Sequence, residues 1–201
     1  MWNQQHIVYN QNLNEDNKLS IVTYPRSGKN WLTWYINTNT DLKANFTHYY
    51  HVDKDEEDYE LYQKVFSRSI FTIVRDPIEC LASIDTMEKE YRTQERTDSY
   101  IEHYEFFLNN PTTFFLFEDL KNNTDKIVSH ICKEFSANLN IVNNSFKDYQ
   151  YWHLATQDGR KLISSKTSPE YSKNLEKIKG FDLSEHYRLY DLAKEKCVRF
   201  D

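Results

Sequence analysis

The chain predicts an α/β fold: a single domain with a central, mainly parallel sheet flanked by helices, and a P-loop-like turn between its first strand and first helix. Three observations lead there. Short apolar runs at Leu19 to Tyr24, Ser69 to Val74 and Thr112 to Phe117 show no polar alternation, which is the pattern of strands covered on both faces. Helical periodicities lie between and after these runs, and strands that alternate with helices make a parallel sheet. The segment Thr23-Tyr24-Pro25-Arg26-Ser27-Gly28-Lys29-Asn30-Trp31 follows the first run and opens into the apolar stretch Leu32 to Ile36, which reads as strand, tight turn and helix.

Taken in order, residues 1–18 are a polar lead rich in Asn and Gln, without the apolar stretch of a secretion signal. After the first strand, turn and helix comes an acidic run, Asp53 to Asp58, expected as a solvated helix start. Beyond the second apolar run, Asp76-Pro77 places a cap and then a proline at the first helical position, and the stripe Cys80, Leu81, Ile84 and Met87 marks the helix that follows. A later helix has its apolar face at Ile127, Val128, Ile131, Cys132 and Phe135. Ser168-Pro169 repeats the cap-and-proline device. Asp182 and Glu185 read as a capping box for a last helix with the stripe His186, Leu189, Tyr190, Ala193 and Cys197. All three stripes are expected in the core.

Bulk composition narrows the class. At 201 residues, one domain 1–201 buries a substantial core without disulfide help. Hydrophobic residues make up only 39 %, but aromatics reach 15 %, and large rings fill a core. The formal charge of −6 argues against nonspecific binding to nucleic acid or to an anionic membrane, because no basic excess exists to neutralise a polyanion. Cys80, Cys132 and Cys197 are widely spaced with no C-x-x-C pair, which suits buried thiols in a reducing compartment rather than disulfides or metal ligands. No apolar run approaches the length of a bilayer span, so a soluble, cytoplasmic protein is expected.

The first junction makes an anion site. Backbone N–H groups of the turn and of the helix start point into one concavity, the helix dipole adds positive potential, and Arg26 and Lys29 add formal charge. The chain has only three glycines, and one of them stands between those two cations. The match to a Walker loop is incomplete: Thr23 stands where that loop begins with Gly, and Asn30 replaces the Ser or Thr that would hold magnesium. Phosphate binding without a metal is the expectation.

A second strand-to-helix junction reads Ile73-Val74-Arg75-Asp76-Pro77-Ile78-Glu79-Cys80-Leu81-Ala82-Ser83. Arg75 leaves the strand end, and Ser83 lies about two turns into the helix, off its apolar stripe. Either Arg75 pairs with Asp76 or Glu79 at the surface, or Arg75 and Ser83 address a second anionic group. Two anion-type junctions favour the latter, a ligand with phosphates at both ends. In parallel sheets both arginines fall beyond the carboxyl ends of strands, where ligands sit.

Here the chain resembles the PAPS-dependent sulfotransferases, PAPS being 3′-phosphoadenosine 5′-phosphosulfate. Tyr-Pro-Arg-Ser-Gly-Lys-Asn-Trp at 24 to 31 resembles the 5′-phosphosulfate loop of that family, the spacing of Arg75 and Ser83 resembles its 3′-phosphate motif, and Phe117-Glu118-Asp119-Leu120-Lys121 is similar to its Tyr-Glu-Asp-Leu-Lys segment. There are departures. Arg26 stands where cytosolic members carry Lys, Lys29-Asn30 replaces two small hydroxyl or amide residues, and Phe117 lacks the tyrosine hydroxyl, leaving only stacking or packing for adenine. The family's C-terminal Arg-Lys-Gly-type segment has Gly159-Arg160-Lys161 as its candidate counterpart.

The resemblance implies transfer of a sulfonate group from PAPS to a small acceptor, leaving adenosine 3′,5′-bisphosphate (PAP), with no metal. Arg26 would stabilise the bridging oxygen and 5′-phosphate together with the backbone of Ser27, Gly28, Lys29, Asn30 and Trp31. Between the motifs lies Phe46-Thr47-His48-Tyr49-Tyr50-His51, which offers His48 as general base and His51 as second choice. The chain is short for the group, so an open acceptor pocket, or one completed by a second copy in a homo-oligomer, is expected. Two alternatives remain from the residues alone: a P-loop kinase or related enzyme, which would need magnesium, and a catalytically silent nucleotide-binding protein.

Overall fold

The computed structural model describes residues 17–47, 63, 66–87, 93–142, 145, 147–149 and 169–200, with side chains at 47, 84–87, 93–96 and 170 excepted. Among the described residues, four strands form one sheet: β1 (Leu19–Val22), β2 (Ala44–Thr47), β3 (Ser69–Val74) and β4 (Thr113–Leu116), in the order β2-β1-β3-β4. Every pairing is parallel, with Leu19 opposite both Ala44 and Ser69, and Phe71 opposite Thr113. The helices are α1 (Lys29–Asn39), α2 (Pro77–Met87), α3 (Thr93–Leu108), α4 (Phe117–Asn122), α5 (Thr124–Phe135), α6 (Pro169–Ile178) and α7 (Ser184–Glu195).

Alternation along the strands explains the absence of a polar face. Leu19, Ile21, Phe71, Ile73 and Phe115 pack on one side with Leu32 and Ile36 of α1 and Ile127, Val128 and Ile131 of α5. Val22, Ile70, Val74 and Phe114 pack on the other with Cys80 and Leu81 of α2, Tyr100, Tyr104 and Phe107 of α3, and Leu189 and Ala193 of α7. Both faces are therefore apolar, as the sequence anticipates.

The chain moves from β1 outward to β2, then returns across to β3 and on to β4. The topological switch point therefore lies between β1 and β3, and in open parallel sheets this is where a crevice opens beyond the carboxyl ends of the strands. The loops leaving β1 and β3 are neighbours there.

Several boundaries differ from the sequence expectation. The first strand stops at Val22 and the last at Leu116; Phe117 opens α4 instead of closing β4, with Glu118 and Asp119 in the first turn, where negative charge suits the helix dipole. Asp76 caps α2 as expected, its Oδ1 accepting the Glu79 N–H at 3.0 Å. The Asp182–Glu185 capping box does not form: Asp182 accepts the Ser184 N–H at 3.0 Å, while Glu185 turns to Arg188, whose Nε donates to it at 2.8 Å. The backbone interaction at Asp182 leads the effects that lower its carboxyl pKa. Ser168 and the acidic run 53–58 lie outside the described residues. Among the described residues no helix is long and apolar enough to cross a membrane.

Candidate functional site

The turn after β1 is shaped by backbone conformation. Ser27 N–H returns to the Tyr24 carbonyl at 3.3 Å, and positive φ at Arg26 (67°) and Gly28 (88°) alternates through the turn, the geometry that gathers amides into a concavity. A non-glycine residue in the left-handed region is strained by about 1–2 kcal/mol, so the surrounding structure must hold Arg26 there. Gly28 sits directly before α1, which has no side-chain cap and no acidic residue in its first turn. The helix start is thus left for an outside anion, its first amides lacking an acceptor within the helix.

The second junction comes up against the first. Arg26 Nε donates to Ser83 Oγ at 3.2 Å, and Arg75 Nη1 donates to the Arg26 carbonyl. Arg75 is 5 % exposed, and its Nη2 and Nε reach Glu79 Oε2 at 3.1 and 3.4 Å. The alternative pairing weighed from sequence is therefore real in its partner, Glu79, but its arginine is buried while the glutamate stays partly exposed. The Arg75 guanidinium also lies over the Phe117 ring, 4.2 Å from its centre, with Lys121 Nζ at 4.4 Å from the same ring.

Phe117 has a second duty. A methyl group on Gly28 would stand 2.6 Å from Leu120 Cδ2 and 3.1 Å from Phe117 Cε2, so the third segment packs directly on the phosphate-type turn. Its ring is engaged by Arg75 and Lys121 and its edge by Gly28, which makes it a support for the loop.

The remaining loop residues divide by burial. Ser27 turns inward, its Oγ 3.5 Å from Cys80 Sγ. Lys29 is buried with Nζ 5.6 Å from the Phe46 ring centre, and desolvation holds its amine well below the usual lysine range. The sequence counts it as a full cation; burial works against that charge unless an anion arrives. Asn30 is half-buried in the first turn. Trp31 uses its side chain for packing, donating Nε1–H to Thr124 Oγ1 at 3.0 Å and meeting Tyr149 edge-on at 5.2 Å, so only its backbone addresses the turn.

Other residues around the site carry no sequence motif. Tyr104 OH accepts the Arg75 N–H at 3.3 Å and Tyr100 OH donates to the Arg75 carbonyl at 3.0 Å, fixing the backbone from which Arg75 springs. Tyr149 is raised to about 12, chiefly by burial, with the charge of Arg26 pulling the other way. The signal for α3 is the helical spacing of Thr97, Tyr100, Tyr104 and Phe107. His48, His51, Arg160 and Lys161 lie outside the described residues. Among the described residues no group of three or more His, Cys, Asp or Glu side chains could hold a metal ion.

The donor set suits a doubly anionic ligand: one strained, half-buried arginine at an uncapped helix start, and one buried arginine already paired with a carboxylate. No protein-family model matches the chain, and no curated protein matches it. Among solved structures it is similar to mouse sulfotransferase SULT7A1 complexed with PAP, at 17 % identity, covering 91 % of this chain and 84 % of that chain, with a TM-score of 0.44. Functional weight falls on the chain's own junctions.

Proposed function

We propose that the chain is a cytoplasmic PAPS-dependent sulfotransferase that transfers a sulfonate group to a hydroxyl or amine of a small acceptor and releases adenosine 3′,5′-bisphosphate. One observation carries the reading: the turn after β1 meets the junction after β3 through Arg26, Ser83 and Arg75, so arginines from two neighbouring strand ends come together. The motifs at 24–31 and 75–83, read from sequence as the two ends of one nucleotide site, support it.

Bound, the donor supplies an activated sulfonate group on a phosphate leaving group. Arg26 and the amides from Ser27 to Trp31 hold the 5′ end and offset charge that grows on the leaving oxygen. An anion in the turn favours the charged form of Lys29, which burial alone disfavours. Arg75 and Ser83 hold the 3′-phosphate, while Phe117 keeps Arg75 and the turn in register. His48, the residue after Thr47 in the sequence, takes the acceptor's proton, with His51 as the second candidate. Arg160 and Lys161 belong to the 3′-phosphate end.

The test is thermal unfolding with adenosine 3′,5′-bisphosphate or ADP, each with and without magnesium. At 100 times its Kd a ligand adds about 2.7 kcal/mol to apparent stability. The bisphosphate is expected to stabilise more than ADP, without regard to magnesium. Equal effects of the two nucleotides, or a strict need for magnesium, would overturn the reading in favour of a P-loop kinase or related enzyme.

A further inference from the structure

The two junctions differ in one respect that the motifs do not reveal. The first turn of α1 holds no acidic residue, whereas α2 carries Glu79 in its first turn. At that position a glutamate ordinarily reaches back to the N-terminal cap. Here Asp76 makes its half of the cap by taking the Glu79 N–H, while the Glu79 carboxylate reaches Arg75.

Its placement is that of a bound anion. Glu79 Oε2 takes the Nε and Nη2 edge of the guanidinium, the fork that best grips a carboxylate or phosphate, while Nη1 is given to the Arg26 carbonyl. The opposing exposures favour displacement: the Arg75 side chain is 6 % exposed and fixed by Phe117, while that of Glu79 is 30 % exposed. The carboxylate can swing to water, and the guanidinium stays.

We propose that Glu79 is a built-in occupant of the Arg75 anion site, which an incoming phosphate must displace, so that Glu79 sets how strongly the chain distinguishes a 3′-phosphorylated nucleotide from one with a free 3′-hydroxyl. This rests on the nucleotide reading above. A phosphate arriving beside an unmoved carboxylate meets like charge at contact distance, and such a juxtaposition is unfavourable. Glu79 therefore weakens binding of that end, and a nucleotide without the phosphate escapes the penalty.

The experiment is calorimetric titration of the wild-type chain, Glu79→Gln and Glu79→Ala with adenosine 3′,5′-bisphosphate and with ADP, each variant's urea midpoint being measured alongside. Glutamine keeps the size and removes the charge. The expected result is about tenfold tighter bisphosphate binding in both variants, equivalent to about 1.4 kcal/mol, with ADP changed less than about twofold. Unchanged or weaker bisphosphate binding in the variants would overturn the proposal, since Glu79 would then be holding Arg75 in place for the ligand. An equal gain for ADP would also overturn it, as a general charge effect. Failure of all three proteins to bind the bisphosphate would instead remove the nucleotide reading, and this inference with it.

Discussion

Arg26 Nε lies 3.2 Å from Ser83 Oγ, joining positions 57 residues apart in the chain. The bond ties the strained turn after β1 to the interior of α2, and the Arg75 contact with the Arg26 carbonyl ties it a second time to the end of β3. Arg26 can be held at a φ of 67° because both its side chain and its carbonyl are gripped by the other junction. Strain at one loop is thus maintained by the loop with which it would share a ligand.

Gly28→Ala tests the packing beneath the turn. A left-handed φ costs a non-glycine residue about 1–2 kcal/mol, and overpacking against Leu120 and Phe117 adds about 1–3 kcal/mol. Urea unfolding of the variant should register a loss in that combined range, together with loss of the thermal response to the bisphosphate. Gly180→Ala is the control: φ there is not left-handed, the new methyl would lie 3.3 Å from the Lys177 carbonyl, and the change should stay below about 1 kcal/mol. Equal behaviour of the two variants would contradict the contact between the third segment and the turn.

The strands and loops that build the crevice differ in how openly the sequence announces them. β1 and β3 are runs of aliphatic and aromatic residues and could be read directly. β2, Ala44-Asn45-Phe46-Thr47, has only two apolar residues, and its buried Asn45 accepts from Asn17 at 2.9 Å, a contact no local pattern encodes. α3 was hidden because its inward face, Thr97, Tyr100, His103, Tyr104 and Phe107, has no aliphatic residue, and its Thr, His and tyrosine hydroxyls read as polar until packing buries them. At the site, the cations and the glycine were legible from their junctions. The burial of Arg75 was not, because it depends on Phe117 and Tyr104, which arrive from other elements.

The three cysteines should be chemically silent in the native chain. Cys80 and Cys197 are pushed up by burial to about 11 and about 12, and Cys132 is raised by the same cause, so essentially no thiolate exists near neutrality. Ellman's reagent should titrate no thiol in the folded protein at pH 7.5 on a timescale of minutes, and all three in denaturant. Prompt reaction of a native thiol would mean that the wall under Ser27, or the end of α7, opens far more readily than its packing implies.

Acid should weaken the fold through His103. Its ring is buried among Tyr24, Tyr104 and Phe107, with centroids 5.8, 4.9 and 4.6 Å away, and desolvation pushes it down to about 3 from an ordinary value of 6.5. Above pH 6.5 the ring is neutral in both folded and unfolded chains, and its contribution is fully present. As pH falls below 6.5 the unfolded chain takes up a proton that the folded chain refuses, so stability drops by up to about 1.4 kcal/mol per pH unit until about pH 3. His186 is shifted the same way, mainly by burial, against the opposing pull of the Thr97 carbonyl. It is retained when His103 alone is changed to Phe, so the comparison isolates one ring. Between pH 7 and pH 5 the wild-type chain should lose about 2 kcal/mol more than His103→Phe in urea unfolding. Parallel losses in the two proteins would mean that His103 accepts a proton in the folded state, and that the aromatic cluster behind the Arg75 backbone admits charge or water.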